Sequence, residues 1–149
     1  MEIQNDFQEF FKSLNKHAVE YVVVGAYALA FHGRPRATDD LDVFVAANPA
    51  NADRVLTALA DFGFAGLNIT QADLSSGRFF FRLGRAPYQI DILTHLEGTS
   101  WQEVWGNRIE SDYGGVPVHV IGREQLIQAK RSSGRQHDLG DVERLGEET

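Results

Sequence analysis

The sequence predicts an α/β (α+β) domain in which helices flank a mixed β-sheet. Three observations lead to this prediction. Apolar residues recur at helical spacing in the first and middle parts of the chain, short β-branched runs lie between them, and two later runs are joined by a turn-forming segment. The resulting order of elements, α-β-α-β-α-β-β-β-α-α, is not a regular βαβ repeat, so the sheet is expected to be mixed.

The first half of the chain is predicted to alternate helices and strands. Helices are indicated by apolar residues three and four positions apart and by cap residues, whereas strands are indicated by short β-branched runs. In chain order, these elements are a helix over 3–16, a strand over 21–24, a helix over 27–32, a strand over 40–45 and a helix that follows the N-cap Asn48 and ends at Gly63.

The second half is predicted to begin with a β-hairpin. Its strands, 78–83 and 88–93, are joined by a Gly-Arg-Ala-Pro segment, which favours a turn. A further strand over 117–121 comes next in the prediction. Helices near 123–131 and 138–146 complete the chain, so the C-terminal region is expected to be helical.

Length and composition limit the class of protein. The chain has 149 residues, 43% of them hydrophobic, so we expect a single domain over 1–149, with a core of about 19–121 and C-terminal helices at about 123–146. The absence of cysteine fits a reducing compartment, and no apolar run is long enough to span a bilayer, so a cytoplasmic protein is expected. A net charge of −7 argues against a protein that coats nucleic acid.

Three features of the sequence carry candidate chemistry. At Gly25 and Ala26 a predicted strand turns into a helix, where close backbone approach and free N–H groups suit a phosphate. Asp40 and Asp42 are two residues apart on a strand, so their carboxylates point to the same face. Asp91 is a lone acid in an apolar strand, where a carboxylate is costly unless it is paired. Each feature alone has an ordinary alternative. The first could be a common turn, the second a pair of turn or cap residues, and the third an acid on an exposed edge strand.

Together the three features predict a site for divalent metal ions. Carboxylates from two neighbouring strands can converge on one or two ions, and Mg²⁺ (or Mn²⁺) prefers oxygen ligands that include a triphosphate. A bound cation would also relieve the repulsion between the acids. Three basic residues are candidates to contact the phosphates, although a solvated surface position stays an alternative for each of them: Arg36, Lys130 and Arg135.

The spacing of these features resembles a known family. Gly25-Ala26, a spacer of thirteen residues, the segment 40–43 with its two acids, and Asp91 on a later strand are similar to the signature of the nucleotidyltransferase superfamily related to DNA polymerase β. Position 26 is an alanine where that family usually has glycine or serine. This change removes a hydroxyl contact to phosphate and keeps the backbone N–H donor.

The segment 23–43 further resembles the small bacterial branch of that superfamily, which includes AbiEii-type toxins and antibiotic adenylyltransferases. A helical motif of that branch is similar to four residues near the C-terminus: Lys130, Arg135, Asp138 and Asp141. The resemblance implies the nucleotidyltransferase fold over most of the chain.

The resemblance also implies roles for the candidate residues. Asp40 and Asp42 would bind both metal ions, and Asp91 would bind the catalytic ion and act on the attacking hydroxyl. The backbone at Gly25 and Ala26 would hold the β- and γ-phosphates. The implied reaction transfers a nucleoside monophosphate from a nucleoside triphosphate, with ATP the expected donor, to a hydroxyl acceptor such as a protein, a tRNA or an antibiotic, and releases pyrophosphate.

Other interpretations of the same sequence stay open. A catalytically degenerate module would bind nucleotide or a partner protein without turnover, and Ala26 supports that alternative. A Mg²⁺-dependent phosphohydrolase would release free monophosphate and would form no adduct. Because a chain of this size has few residues beyond a catalytic core, we also expect a homodimer or an antitoxin-like partner protein to complete acceptor binding.

Overall fold

The computed structural model describes residues 2–35, 38–85 and 88–146 of the chain. Within these ranges seven helices and six strands build an α+β fold with a mixed sheet, as predicted. In chain order the elements are α1 (Asn5–Lys16), β1 (Tyr21–Val24), α2 (Gly25–Phe31), β2 (Asp40–Val45), α3 (Pro49–Asp61), α4 (Gln71–Ser75), β3 (Phe80–Arg85), β4 (Tyr88–Leu93), α5 (Trp101–Gly106), β5 (Ile109–Tyr113), β6 (Val116–Val120), α6 (Arg123–Ser133) and α7 (Gln136–Arg144).

The sheet has the strand order β3-β4-β2-β1-β6-β5. The pairs β1–β2, β3–β4 and β5–β6 are antiparallel, whereas β1–β6 and β2–β4 are parallel. The β3–β4 hairpin therefore lies at one edge and the β5–β6 hairpin at the other. The central strands β1 and β2 are flanked on both sides, which explains why their apolar runs are almost entirely buried.

Helix α1 packs on the sheet through an aromatic cluster. Its side chains Phe7, Phe10 and Phe11 are buried, as the helical spacing predicts. Phe11 stacks on Tyr21 of β1 with ring centroids 6.1 Å apart and meets Tyr113 of β5 edge-on at 5.4 Å. Each buried side chain of this size contributes about 1.5–3 kcal/mol through removal from water. This packing ties the helix to the central strand β1 and to the edge strand β5.

Three elements have no counterpart in the sequence-based prediction. Helix α4 is a single turn with a capping box between Thr70 and Asp73, and Leu74 is its one buried side chain, so no apolar period is visible. In α5 the Ser100 side chain accepts a hydrogen bond from the backbone N–H of Glu103, and again only one side chain is fully buried. Elements this short are defined by their caps and by tertiary contacts, which periodicity does not detect.

Strand β5 was also not predicted, because its sequence is polar and lacks a β-branched run. It pairs with β6 across Gly114 and Gly115, whose φ angles of 58° and 88° are those of a tight hairpin turn. The predicted strand at 78–83 lies instead at Phe80–Arg85, and α2 begins at Gly25, two residues before its predicted start. None of the helices in the described ranges combines the length and apolar character that a bilayer span requires.

Candidate active site

A row of side chains crosses one face of the sheet at the end where β1 stops. Asp42 of β2 lies opposite Asp91 of the parallel strand β4, and Asp91 lies opposite Arg82 of the antiparallel strand β3. On the other side, Asp42 lies opposite Val24, the last residue of β1. Neighbouring strands are about 4.8 Å apart, so these side chains stand next to one another. Pairing of β2 with β4 thus brings together two acids that are far apart in the sequence.

Glycine at position 25 is required by the close approach of Asp42. Gly25 begins α2 with a φ of +67°, a conformation that side chains rarely adopt. A Cβ atom built at this position would lie 2.1 Å from Oδ2 of Asp42. The turn from β1 into α2 and the carboxylate of Asp42 therefore form one compact unit.

A cleft of about 470 Å³ opens over this row. It is bounded by the sheet on one side and by α6 on the other. Of the residues predicted from sequence, those lining it are Gly25, Ala26, Asp40, Asp42, Asp91, Lys130 and Arg135. The remaining predicted residue, Arg36, lies outside the described residues. The structure thus gathers the described candidates around a single cavity.

Asp42 and Asp91 lie opposite each other on β2 and β4, and the closeness of their carboxyl groups has an electrostatic consequence. Burial, followed by the charge and the hydrogen bond of Asp91 and the charge of Asp40, raises the pKa of Asp42 to about 7, while Lys130 opposes the shift. An acid with that pKa is only partly ionised at neutral pH. The pair therefore resists carrying its full negative charge unless a cation is close.

Arg82 is a functional candidate that the sequence reasoning missed. Its Nε donates to Oδ1 of Asp91 at 2.7 Å and its Nη2 donates to Oδ2 at 3.0 Å. The same Nη2 lies 3.6 Å from Oδ2 of Asp40. The Asp91 side chain is only 5% exposed, whereas that of Arg82 is 47% exposed. This bidentate ion pair, and chiefly its hydrogen bonds, raises the pKa of Arg82 above its ordinary value.

Lys130 lines the cleft from α6 but is already paired with two acids of α7. Its Nζ lies 2.8 Å from Oδ2 of Asp141 and 3.5 Å from Oδ1 of Asp138, and all three side chains are buried. Asp138 also accepts hydrogen bonds from Ser133 and from Nε of Arg135. Although burial alone would raise it, these hydrogen bonds and the charge of Lys130 hold the pKa of Asp138 below its ordinary value.

The four residues of the C-terminal motif therefore form an internal network that joins α6 to α7. Removing one member of a buried ion pair leaves its partner uncompensated, so this network has a clear structural role. The motif that the sequence singled out also shapes one wall of the cleft. Contact between phosphate and Lys130 or Arg135 stays a prediction.

The donor set can be compared with what a divalent cation needs. Within residues 2–35, 38–85 and 88–146, no group of three His, Cys, Asp or Glu side chains is arranged so that it could hold a metal ion. Both oxygens of Asp91 accept hydrogen bonds from Arg82. The chemistry of the donors nevertheless fits a hard cation, because carboxylate oxygens are the ligands that Mg²⁺ and Mn²⁺ prefer. A bound cation would also relieve the electrostatic repulsion between Asp42 and Asp91.

Comparison with solved structures confirms the fold. The chain is similar to a candidate nucleotidyltransferase from Thermotoga maritima, TM1012, with 16% identity and a TM-score of 0.63 over 93% of this chain and 88% of that one. It is also similar to the antibiotic-resistance factor ANT(2'')-Ia, with 12% identity and a TM-score of 0.61 over 94% of this chain and 80% of that one. Identities this low show a shared fold and do not transfer a substrate.

Comparison of the sequence with curated proteins gives no match. A family model described as "nucleotidyl transferase of unknown function (DUF2204)" matches residues 3–149. Nucleotidyltransferases use a nucleoside triphosphate and an acceptor, and they generally require divalent metals. Because the family model covers nearly the entire chain, the protein belongs to the nucleotidyl transferase family DUF2204.

Proposed function

We propose that the protein is a metal-dependent nucleotidyltransferase that moves a nucleoside monophosphate from a triphosphate, with ATP the first candidate, to a hydroxyl group of an acceptor. One observation carries the proposal: Asp42 and Asp91 lie side by side on parallel strands, next to the Gly25 turn. Family membership supports the reaction class. In this proposal the enzyme consists of a single domain and acts in the cytoplasm.

In this proposal Asp40, Asp42 and Asp91 would hold Mg²⁺ or Mn²⁺, which when bound supplies the positive charge that stabilises the triphosphate and its leaving group. The chain supplies the rest of the site. The backbone N–H groups at Gly25 and Ala26 would donate to the β- and γ-phosphates, and Lys130 and Arg135 line the opposite wall. Ala26 retains this backbone donor, so the missing hydroxyl weakens phosphate binding without abolishing it.

The direction from which the acceptor arrives follows from the chemistry. In nucleotidyl transfer the attacking and leaving oxygens lie roughly in line on opposite sides of the phosphorus. If pyrophosphate leaves toward Gly25, the acceptor hydroxyl must approach from the β3–β4 side of the row. Asp91 would accept the hydroxyl proton on that side. Phe80, which lines the cleft and is 57% exposed, would offer an apolar contact.

The experiment that tests the proposed function is thermal melting with each nucleoside triphosphate, in the presence of Mg²⁺, Mn²⁺ or EDTA. A ligand at about 100 times its dissociation constant adds about 2.7 kcal/mol, so the favoured nucleotide should raise the melting temperature by roughly 5–10 °C. The shift should vanish in EDTA and in Asp42→Asn. Asp39→Asn is the matched control, because Asp39 is exposed and lies outside the cleft.

Products distinguish this function from its alternatives. With the triphosphate labelled at the α-phosphorus, a transferase places the label on an acceptor, whereas a phosphohydrolase releases only free monophosphate. A degenerate module shows the metal-dependent melting shift and leaves the triphosphate intact. Absence of any shift at millimolar nucleotide, from a folded sample, would contradict both nucleotide-binding interpretations.

Phe80→Ala tests the proposed acceptor side of the cleft. With benzyl alcohol and glycerol as probe acceptors, the wild-type protein should label the aromatic alcohol preferentially, because its ring can pack on Phe80. Removing the ring should reduce that preference by about tenfold, equivalent to about 1.4 kcal/mol. Tyr88→Ala is the control, since Tyr88 is an exposed aromatic residue of the same hairpin that does not line the cleft. Equal behaviour of the two variants would place the acceptor elsewhere.

A further inference from the structure

Arg82 connects two of the three acids of the site. It pairs with both oxygens of Asp91 at 2.7 and 3.0 Å, and its Nη2 reaches toward Asp40 at 3.6 Å. A guanidinium group remains charged at any pH that a protein tolerates, so this pairing cannot be released by deprotonation. Its release requires a competitor for the carboxylate of Asp91.

The exposure of the two partners determines which of them can move. The Asp91 side chain is 5% exposed and belongs to β4, which is paired on both sides, with β2 and with β3. The Arg82 side chain is 47% exposed and belongs to the edge strand β3. Arg82 can therefore turn into the cleft or into solvent at little cost in burial, whereas Asp91 cannot leave its place. A buried carboxylate that loses this arginine is left uncompensated unless another positive charge replaces it.

A divalent ion at the acid row meets that requirement. The two donors of Arg82 point at the oxygens that such an ion would need, and bidentate pairing fixes those oxygens in the plane of the guanidinium. The two hydrogen bonds occupy one lone pair of each Asp91 oxygen. The fixed positive charge of the guanidinium beside them also opposes the approach of a second cation. Arginine and metal ion are thus expected to compete at Asp91.

We infer that Arg82 is a positioning residue that competes with the divalent cation for Asp91 and is displaced when metal and triphosphate bind together. The triphosphate favours the exchange in two ways: it supplies further oxygen ligands to the ion, and its negative charge offers the freed guanidinium a new partner within the cleft that Arg82 lines. Metal binding is therefore weak in the nucleotide-free protein and becomes strong with nucleotide. The inference rests on the proposed function for the role of Asp91 as a metal-binding residue.

The test is Mn²⁺ binding to the nucleotide-free protein. Binding is measured as the decrease of the electron paramagnetic resonance signal of the free ion. Arg82→Lys is the decisive variant, because lysine keeps the positive charge near the acids but cannot form the bidentate pair. It should bind Mn²⁺ about tenfold more tightly than wild type. Arg82→Gln also removes the charge, so it should bind at least as tightly as Arg82→Lys.

Arg78→Gln is the matched control, because Arg78 is exposed, precedes the same strand and lies outside the cleft, so it should match wild type. A second series adds a non-hydrolysable ATP analogue. The analogue should strengthen Mn²⁺ binding strongly in wild type and much less in the Arg82 variants, since little competition remains to be overcome.

Two results would overturn the inference. If Arg82→Lys, with an unchanged circular dichroism spectrum, binds Mn²⁺ no more tightly than wild type while the analogue still strengthens binding, the inference fails and the proposed function stands. If neither the wild-type protein nor any variant binds Mn²⁺, with or without the analogue, the inference and the proposed function fail together. Should Arg82→Gln not fold, the lysine variant alone decides.

Discussion

Gly25→Ala is expected to lower the free energy of unfolding by about 2–5 kcal/mol and to abolish nucleotide-dependent stabilisation. Two physical effects add up. Alanine at a φ of +67° carries a conformational cost of about 1–2 kcal/mol. Its Cβ would also lie 2.1 Å from Oδ2 of Asp42, so either the turn or the carboxylate must move. Urea unfolding measures the total loss, and thermal melting with nucleotide measures the consequence for the site.

Gly33→Ala separates the two effects. Gly33 has a similar φ of +77°, but nothing lies within 4 Å of a Cβ built there, so its replacement incurs only the conformational cost. The excess loss in Gly25→Ala therefore reports the collision with Asp42. In the double variant Gly25→Ala/Asp42→Ala that excess should largely disappear, because the colliding carboxylate is gone. Equal losses for the two glycine variants would show that the approach of Asp42 does not matter.

The predictable part of the fold consists of elements whose signals are local. The strand that ends at Gly25, the strand that begins at Asp40 and the helix capped by Asn48 were predicted, because β-branched runs and cap residues act within a few positions. The Asn48 side chain indeed accepts a hydrogen bond from the backbone N–H of Asn51. Strand β5 lacks such a run, and it is held in place through its pairing with β6.

The candidate site shows the same limit more sharply. The three acids could be selected from the sequence by residue type and spacing, but Arg82 could not. A hairpin in which the predicted strands 78–83 and 88–93 were paired from the turn onward would set Leu83 opposite Tyr88 and Phe80 opposite Asp91. In the structure Leu83 lies opposite Ile90 and Arg82 lies opposite Asp91. A shift of two residues leaves every side chain on its own face, so the hydrophobic pattern does not detect it.

Sequence reasoning also could not foresee how the basic residues are used. Lys130 and Arg135 were selected as phosphate contacts, and both do line the cleft. Their pairing with Asp138 and Asp141 depends on how α6 packs against α7, which no local pattern specifies. The packing of the two helices thus determines which charges of this site are compensated by a neighbouring side chain.

Asp42→Asn is expected to have opposite effects on stability and on activity. In EDTA at pH 8 the variant should melt at a higher temperature than wild type, because it removes an acid whose ionised form is disfavoured by burial and by the neighbouring Asp91 and Asp40. Nucleotidyl transfer should fall on the order of 10²–10³-fold, the usual loss when one electrostatic group is removed from an active site. Asp39→Asn should leave both properties unchanged.

The pH dependence of this stability difference identifies its cause. The pKa of Asp42 is about 7 in the folded protein against an ordinary value of 3.8, so the folded state binds the proton more tightly than the unfolded state does. That contribution to stability is fully present below pH 3.8, declines as the pH rises and is lost above about 7. Asparagine does not titrate, so the advantage of Asp42→Asn should be small near pH 4 and reach its full size above pH 7. A difference that stays constant from pH 4 to pH 8 would rule out this ionisation as the cause. The expected pH dependence, together with the loss of transfer, would show an acid that destabilises its own fold and is still needed for activity. The cation that Asp42 is proposed to bind would explain both properties.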